Sequence, residues 1–495
     1  MRTKPVYNRP TRTLAVILLG FVAAVAAGCG AQRVQQVPTT VSDYRNQPES
    51  DRLSYPPEVV LLHNLQRVMD DTLPDLRRRQ SMEVVAMLGN EKESARRQLA
   101  SLLSRKNISE SLRMRIMEFL LDRNYAEMSG LVVGMLPELP AGSRLREKLL
   151  RWLERNPHEA ALPVVLAAWA EEPTGEANDR VFREIVGTIG GRRYWDQVLL
   201  DKLAQPEFEQ VGAALEILVS RLGKETLRQR LKGMSSASEA VAALKLFENW
   251  FEYLPDTRQQ YRMLANAYRN HREDLDLTSR LAQRWSRQTG YQFGIRDFHL
   301  LHGLATDPDH VELSREALIR QVGQAVRSRR HANGIGGQPP VSRDFWRQRT
   351  DLNMADLWNL LLVNRMLEKP KVIAGLEALA RRDRNDRRGA YGGLIFYENG
   401  KAEAKVYPGR PADDGEYRPT DRWVEDSRDS LMTFVGHFSK INNAANAGPD
   451  SAERRLAREN DRYGLTITSV GRGRFSAHYY NPKGKVISLG IFEVE

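Results

Sequence analysis

The stretch LREKLLRWL at residues 145–153 shows the pattern that decides the fold of most of this chain. Its large apolar residues, such as Leu145, Leu149 and Trp152, are spaced by three or four positions. This spacing places them on one face of an α-helix, opposite the charged residues. Because the same spacing continues from about residue 57 to residue 382, the sequence predicts a succession of amphipathic helices in this region.

A longer period runs through the first part of the helical region. Apolar helix ends recur in steps of 33, 34 and 34 residues, at residues 101–103, 134–136, 168–170 and 202–204. Loops rich in helix breakers separate the helices, for example at residues 172–175. A helix pair every thirty-odd residues predicts an α-solenoid over residues 58–250 that resembles HEAT-like repeats. An irregular all-helical domain is the alternative.

Residues 251–383 continue the helical pattern with more aromatic residues, which we expect to pack between helices rather than to line a binding groove. His299 and His302 share a helix face, and His310 follows eight positions later. Since no glutamate completes a zincin motif, these histidines are expected to pack or cap rather than to bind metal. Residues 331–345 are rich in glycine and proline and are predicted to form a loop or lid.

The sequence pattern changes near residue 383. Beyond it, β-branched and aromatic residues alternate between turn signals, and one helix is predicted at residues 450–463. This mixture predicts a compact α+β domain over residues 384–495. The expected fold is therefore multidomain, with an all-α solenoid followed by a small α+β domain.

Several short motifs of this last region resemble the JAB/MPN fold, particularly its exported bacterial relatives. The motifs are GGLIF at 392–396, VGHFS at 435–439, AGPD at 447–450, YYNPKG at 479–484 and ISLG at 487–490. The resemblance covers roughly residues 385–495. It implies an α+β fold of the JAB/MPN type.

The resemblance also implies a zinc site. In that family a His-x-His motif and an aspartate after ten further residues hold the metal, and an upstream glutamate acts as general base. His437 matches the first histidine and Asp450 the aspartate, whereas Ser439 replaces the second histidine. An alternative alignment places Asp450 at a family serine and Glu453 at the aspartate. One imidazole and one carboxylate hold zinc weakly, so we expect a vestigial cleft with no catalytic residue and no metal.

An intact hydrolase would have to recruit His478 or Glu398 as a substitute ligand or base. Otherwise we expect His437 and Asp450 to form a charge-assisted hydrogen bond. The alternative is that the emptied cleft still binds an extended peptide at a strand edge.

The first thirty residues predict export. Basic residues precede an acid-free apolar run at residues 14–27, which indicates a signal peptide over residues 1–28. The run is shorter than the roughly 20 residues that span a bilayer. It ends in small residues directly before Cys29, the only cysteine of the chain, and resembles the lipobox at which bacterial lipoproteins are cleaved and lipidated. The alternative is an ordinary signal peptide.

Residues 29–57 are predicted to form a flexible tether.

Composition limits the class of protein. A chain of 495 residues with one cysteine and 41% hydrophobic residues is neither a polytopic membrane protein nor a disulfide scaffold. Loss of the four basic residues within 1–28 lowers the net charge from +11 to +7. Solvated helix faces explain this excess, and weak binding to anionic lipid or an acidic wall polymer is the alternative. No basic stripe with interleaved aromatics is present, so no nucleic-acid partner is expected.

These patterns together predict a protein of the cell envelope that is anchored through lipid on Cys29. Gly30 rather than an aspartate follows Cys29, which resembles lipoproteins that reach an outer membrane and face the periplasm. The expected function is a non-catalytic scaffold or adaptor that binds protein partners and uses no cofactor. The alternative is a metal-dependent peptidase or isopeptidase of the JAB/JAMM type, which would use zinc and act on envelope or secreted substrates.

Overall fold

The structure, a computed structural model, describes residues 37–47, 55–89, 92–103, 105, 108–123, 125–192, 194–307, 309–332, 345–386, 391–398, 400–410 and 417–493. Three predicted features lie outside this part of the chain: the signal peptide at residues 1–28, the lipidation site at Cys29 and most of the loop at residues 331–345. The chain divides into two compact units, Met1–Leu149 and Leu150–Glu495.

Helices dominate both units. In chain order they are α1 Val41–Arg45, α2 Pro57–Met69, α3 Asp75–Leu88, α4 Glu93–Leu103, α5 Glu110–Asp122, α6 Met128–Met135, α7 Arg144–Arg155, α8 Leu162–Glu171, α9 Glu176–Ile189, α10 Trp195–Leu203, α11 Val211–Leu222, α12 Lys224–Gly233, α13 Glu239–Phe251, α14 Arg258–Asn270, α15 Leu275–Thr289, α16 Phe298–Ala305, α17 Arg315–Arg327, α18 Phe345–Gln348, α19 Met354–Leu367, α20 Pro370–Asp386, α21 Asp421–Asp426 and α22 Ser451–Glu459. A membrane-spanning helix, which must be both long and apolar, does not occur among the described residues.

The helices of the repeat region begin at regular intervals. Helices α3, α5, α7 and α9 begin at residues 75, 110, 144 and 176, in steps of 35, 34 and 32. Helices α4, α6, α8 and α10 begin at residues 93, 128, 162 and 195, in steps of 35, 34 and 33. The predicted spacing of helix pairs is therefore present in the structure.

Part of the segment predicted to be a tether is packed in the first unit. Thr40 caps the short helix α1 by accepting a hydrogen bond from the Asp43 N–H. The buried Asn64 side chain donates to the Pro38 carbonyl at 2.8 Å. Residues 37–47 of the predicted tether therefore contain a short helix and a contact with α2.

A buried aspartate connects three helices of the second unit. The Asp179 carboxylate of α9 accepts hydrogen bonds from Trp169 Nε1 at 2.7 Å and from Arg221 Nε at 3.0 Å. Asp179 and the Arg221 side chain are both about 4% exposed. A buried charge of this kind needs its partner, so this network fixes α8, α9 and α11 together.

The C-terminal part of the second unit is a six-stranded mixed sheet. Its strands are β1 Tyr391–Glu398, β2 Lys401–Pro408, β3 Met432–His437, β4 Gly464–Gly471, β5 Arg474–Tyr480 and β6 Val486–Glu493. The strand order is β2-β1-β3-β4-β5-β6, and only the β3–β4 pair is parallel. A parallel pair needs a crossover connection, and here α22 supplies it between β3 and β4.

The two faces of the sheet are covered by different helices. One face, with Ile395, Leu465 and Tyr479, shares a hydrophobic core with helices α15 to α17 and α19 to α20, including Trp285 and Trp358. On the other face α21 packs its Trp423 against Leu394 of β1, and α22 packs its Ala457 against Tyr480 of β5. One face of the sheet is therefore continuous with the core of the preceding helices, whereas the other face forms two small clusters of its own.

Two buried carboxylates connect the sheet region to the preceding helices. The Tyr463 hydroxyl donates to Asp297, which also accepts from Tyr291 at 3.0 Å. The Tyr479 hydroxyl of β5 donates to Asp356 of α19 at 2.7 Å. Asp297 is fully buried, and burial raises its pKa. The prediction of a mainly helical chain that ends in an α+β region is confirmed.

Candidate functional site

The crossover from β3 to β4 brings the predicted site residues together. Strand β3 ends at His437, and after a loop Asp450 forms the N-cap of α22. Because β4 then returns parallel to β3 beside it, the end of β3 and the beginning of α22 lie at the same edge of the sheet. The site therefore arises from the chain order strand, loop, helix, strand.

Asp450 and Glu453 form a reciprocal capping box at the beginning of α22. The Asp450 Oδ1 accepts the Glu453 N–H at 2.8 Å, and the Glu453 Oε2 accepts the Asp450 N–H at 2.8 Å. These two bonds satisfy backbone donors that the first turn of a helix leaves unpaired. Glu453 is 6% exposed, and it also accepts a hydrogen bond from the Thr466 hydroxyl of β4 at 3.2 Å.

His437 pairs with Glu453 rather than with Asp450. Its Nε2 lies 3.5 Å from the Glu453 Oε1, and its Nδ1 donates to the Asn446 carbonyl at 3.1 Å. Burial opposes the charged imidazole, but the Glu453 carboxylate and the bond to Asn446 outweigh it and raise the pKa of His437 to about 9. At neutral pH both ring nitrogens therefore carry protons that face acceptors.

The pair lies in a cavity of about 330 Å³. The cavity is lined by Tyr417, Arg418, Val435, His437, Asp450, Ala452, Glu453, Arg455, Leu456 and Glu459. We call this cavity the α22 cleft. Its wall combines basic, acidic and apolar side chains, so it can contact a ligand that carries both charges and apolar groups.

The structure brings together only part of the site that the sequence predicts. His437, Asp450 and Glu453 each place one potential ligand atom within 4.8 Å of the others. Ser439 is exposed and does not line the α22 cleft. The hydrogen bond expected between His437 and Asp450 is replaced by the pair of His437 with Glu453. Glu453 is the residue that the alternative alignment places at the family aspartate.

The two substitute residues lie elsewhere. Glu398 is exposed at the end of β1, opposite Lys401 of β2. His478 is buried on β5, opposite Thr466 of β4. Neither lines the α22 cleft, so neither is positioned as a ligand or base for His437.

Sequence reasoning missed the basic wall of the cleft. Arg418 precedes α21 and Arg455 lies on α22, and no local motif relates them. The Asp-x-x-Glu spacing of Asp450 and Glu453 was the available signal for the capping box, because this spacing before an amphipathic run is typical of a helix beginning.

The helical histidines occupy buried positions. His299 and His302 lie on α16, as expected, and His302 packs against His271 with ring centroids 4.2 Å apart. His310 lies apart from them, against the Trp358 ring. The cluster of His271 with His299 was not predicted, because 28 positions separate the two residues in the sequence.

The chain matches no protein-family model, no curated protein and no solved structure at the level of significance applied. The geometry of the described residues therefore carries the functional argument.

Proposed function

We propose that this protein is a lipid-anchored component of the cell envelope that binds protein partners without catalysis. In this proposal the repeat region is a HEAT-like solenoid and the C-terminal region is a JAB/MPN-like module with a vestigial site. The observation that carries the proposal is the pairing of His437 with Glu453 in the α22 cleft. This pair holds a proton at the position where a metallopeptidase needs a neutral imidazole.

Proton binding at His437 competes directly with metal binding. Zinc coordinates neutral imidazole, so a metal must first displace the proton that Glu453 stabilises. With a pKa of about 9, His437 is mostly protonated at neutral pH. Glu453 is itself engaged by the Asp450 N–H and the Thr466 hydroxyl, so the two side chains act as a fixed structural pair.

The wall of the α22 cleft favours a peptide segment as ligand. Arg455 is well exposed on one side of the cleft, and Glu459 on the same helix is also exposed. Leu456 and Tyr417 add apolar surface between the charges. A peptide offers charged side chains, apolar side chains and backbone groups together, which such a mixed wall can bind.

The repeat region supports partner binding by a different argument. Helix pairs that recur every 32 to 35 residues are typical of solenoids, whose stacked repeats present extended surfaces to protein ligands. Lipid on Cys29 would hold this surface at the membrane, and an outer membrane facing the periplasm is the proposed location.

Site-specific photo-crosslinking tests the binding proposal. A photoreactive amino acid at Arg455, which lines the α22 cleft, should give a discrete crosslinked adduct in intact cells. The same substitution at Arg458, an exposed arginine of the same helix outside the cleft, is the matched control. Equal crosslinking at both positions, or none at Arg455, would contradict binding in the cleft.

A metal-dependent peptidase is the second candidate, favoured by the proximity of His437, Asp450 and Glu453. It predicts that added zinc produces cleavage of fluorogenic peptide libraries by the full chain. Asp450→Asn is the informative variant, since asparagine keeps the helix cap but removes the charge. We expect no zinc-dependent turnover in either protein, and turnover that Asp450→Asn abolishes would favour the peptidase.

Membrane anchoring has its own test. Replacement of Cys29 by serine removes the only residue that can receive lipid in the lipobox, so the variant should move from the membrane fraction to the soluble envelope fraction. Retention of Cys29→Ser in the membrane fraction would show that another feature anchors the protein.

A further inference from the structure

A second group of metal-type ligands lies apart from the α22 cleft. His271 directly follows α14, His299 lies on α16, and Asp429 lies in a short turn before β3. One ring nitrogen of each histidine and one carboxylate oxygen of Asp429 lie within 4.8 Å of one another. We propose that these three side chains form a binding site for a divalent first-row transition metal ion of the zinc type.

The hydrogen bonds of the two histidines suit this role. The His299 Nε2 lies 2.7 Å from the Arg428 carbonyl, and it must donate because a carbonyl only accepts. This bond leaves a lone pair on Nδ1 of the neutral ring. Histidine ligands of metals typically donate their other N–H to a carbonyl or carboxylate, which fixes the orientation of the ring.

His271 provides the second observation that points to a ligand. Its Nε2 is buried and has no hydrogen-bond partner, and the nearest carboxylate oxygen, Asp429 Oδ1, is 3.9 Å away. Buried polar atoms are nearly always hydrogen-bonded. An ion between His271 and Asp429 would satisfy this nitrogen, since it would take its lone pair.

The spacing and exposure of the group allow a coordination sphere to form. Zinc–ligand distances of about 2.0–2.1 Å place tetrahedral ligands about 3.3 Å apart, so the His271–Asp429 pair has to close by about 0.6 Å. The Asp429 side chain is 36% exposed and that of His271 is 14% exposed. Solvent can therefore reach the group and supply a fourth ligand, as in sites with two histidines and one carboxylate.

Charges of both signs surround the group, and the Asp429 carboxylate also accepts hydrogen bonds from the Asn266 and Asn270 side chains. Asp429 lies in the group, and Asp274 lies 3.3 Å from His302, the neighbour of His271. The buried Arg462 opposes a cation but is held by a bond from its Nη1 to the Ser430 carbonyl.

Zinc titration of the full chain tests this site. After removal of metal with a chelator, calorimetry with Zn²⁺ should give one equivalent bound, and Co²⁺ should give the visible absorption of a four-coordinate site. Asp429→Asn and His271→Gln keep the size of the side chain and should weaken binding at least about tenfold. His158→Gln replaces an exposed histidine of the same unit and should leave binding unchanged.

A further variant distinguishes the two clusters. Glu453→Gln removes the carboxylate that pairs with His437 in the α22 cleft. It should not affect zinc binding at His271, His299 and Asp429. Zinc binding weaker than about 10 μM, or binding that Glu453→Gln removes and Asp429→Asn does not, would overturn the assignment. His299→Gln is the variant of the third proposed ligand and should also weaken zinc binding. Circular dichroism of each metal-free variant verifies that the fold is intact.

Discussion

Replacement of Glu453 by glutamine is the sharpest perturbation that the structure offers. The change removes the charge beside His437 but keeps an amide oxygen that can accept the Asp450 N–H in the capping box. Helix α22 should therefore remain capped. His437 keeps its burial and its bond to the Asn446 carbonyl, so the experiment isolates the contribution of one carboxylate.

The expected size of the effect follows from the pKa of His437. The protein raises this pKa from 6.5 to about 9, and such a difference corresponds to about 3 kcal/mol of stabilisation of the charged imidazole. Because the folded pKa lies above the unfolded one, this stability is fully present below pH 6.5 and is lost as the pH rises through about 9. In Glu453→Gln burial then dominates, so the pKa should fall by about 2 units or more.

The assay is a pH titration of full-length protein labelled with ¹³C at the histidine Cε1, followed by NMR. His437→Gln identifies the resonance. Glu459→Gln, which neutralises an exposed carboxylate of the same helix, should leave the titration of His437 nearly unchanged. In parallel, the thermal stability of Glu453→Gln should fall furthest below that of the original protein near pH 6, and the difference should shrink towards pH 10. A His437 that titrates near 6.5 in the original protein would refute the reasoning.

Two packing features give further predictions, both measured by thermal unfolding. Gly303→Ala places a Cβ 2.3 Å from the Tyr397 ring and 2.6 Å from the Tyr397 carbonyl oxygen, so it should destabilise the fold by about 1–3 kcal/mol. The control Gly375→Ala adds a Cβ in open space on α20 and should stabilise the fold by up to about 1 kcal/mol. Tyr463→Phe removes the hydroxyl that donates to the buried Asp297 and should destabilise by about 1–3 kcal/mol. Unchanged midpoints in Gly303→Ala or Tyr463→Phe would contradict these assignments.

The helical part of the fold could be predicted because its signal is local. Apolar helix ends predicted at residues 101–103 and 202–204 coincide with the ends of α4 at Leu103 and of α10 at Leu203. A helix such as α4 buries one face, so a spacing of three and four residues is visible in a short window. Helix α19 is the exception, because it is buried on nearly all sides. The sheet was predicted for the same reason, from alternation within single strands.

The joining of sheet and helices could not be predicted in this way. Tyr463 reaches Asp297 across 166 positions, and Tyr479 reaches Asp356 across 123. Neither aspartate shows a pattern in its own segment that indicates burial, since an isolated acidic residue is normally exposed. The predicted α+β region was therefore correct in its class, although helix α21 at Asp421–Asp426 was not predicted. Its dependence on the preceding helices is a property of the three-dimensional packing.

The candidate site at His437 could likewise be predicted only in part. His437 and Asp450 were predicted together because their spacing resembles the metal-binding motif of the JAB/MPN family, whereas the choice between Asp450 and Glu453 as partner of the imidazole depends on side-chain direction. In the capping box the Asp450 carboxylate accepts the Glu453 N–H, while Glu453 lies one turn into the helix and faces β4 through Thr466. Glu453 is therefore the carboxylate that pairs with the imidazole, since its Oε1 lies 3.5 Å from the His437 Nε2.

The two histidine clusters also show how one set of residue types gives two chemical outcomes. Around His437, both ring nitrogens face oxygen acceptors at 3.1 and 3.5 Å, and the pKa rises, so the site holds a proton. Around His271, the carboxylate stands at 3.9 Å and Nε2 has no hydrogen-bond partner, while burial lowers the pKa, so the site holds a lone pair. The pair at His437 is therefore a fixed ion pair, whereas the proposed metal site depends on the Nε2 of His271, which has no hydrogen-bond partner.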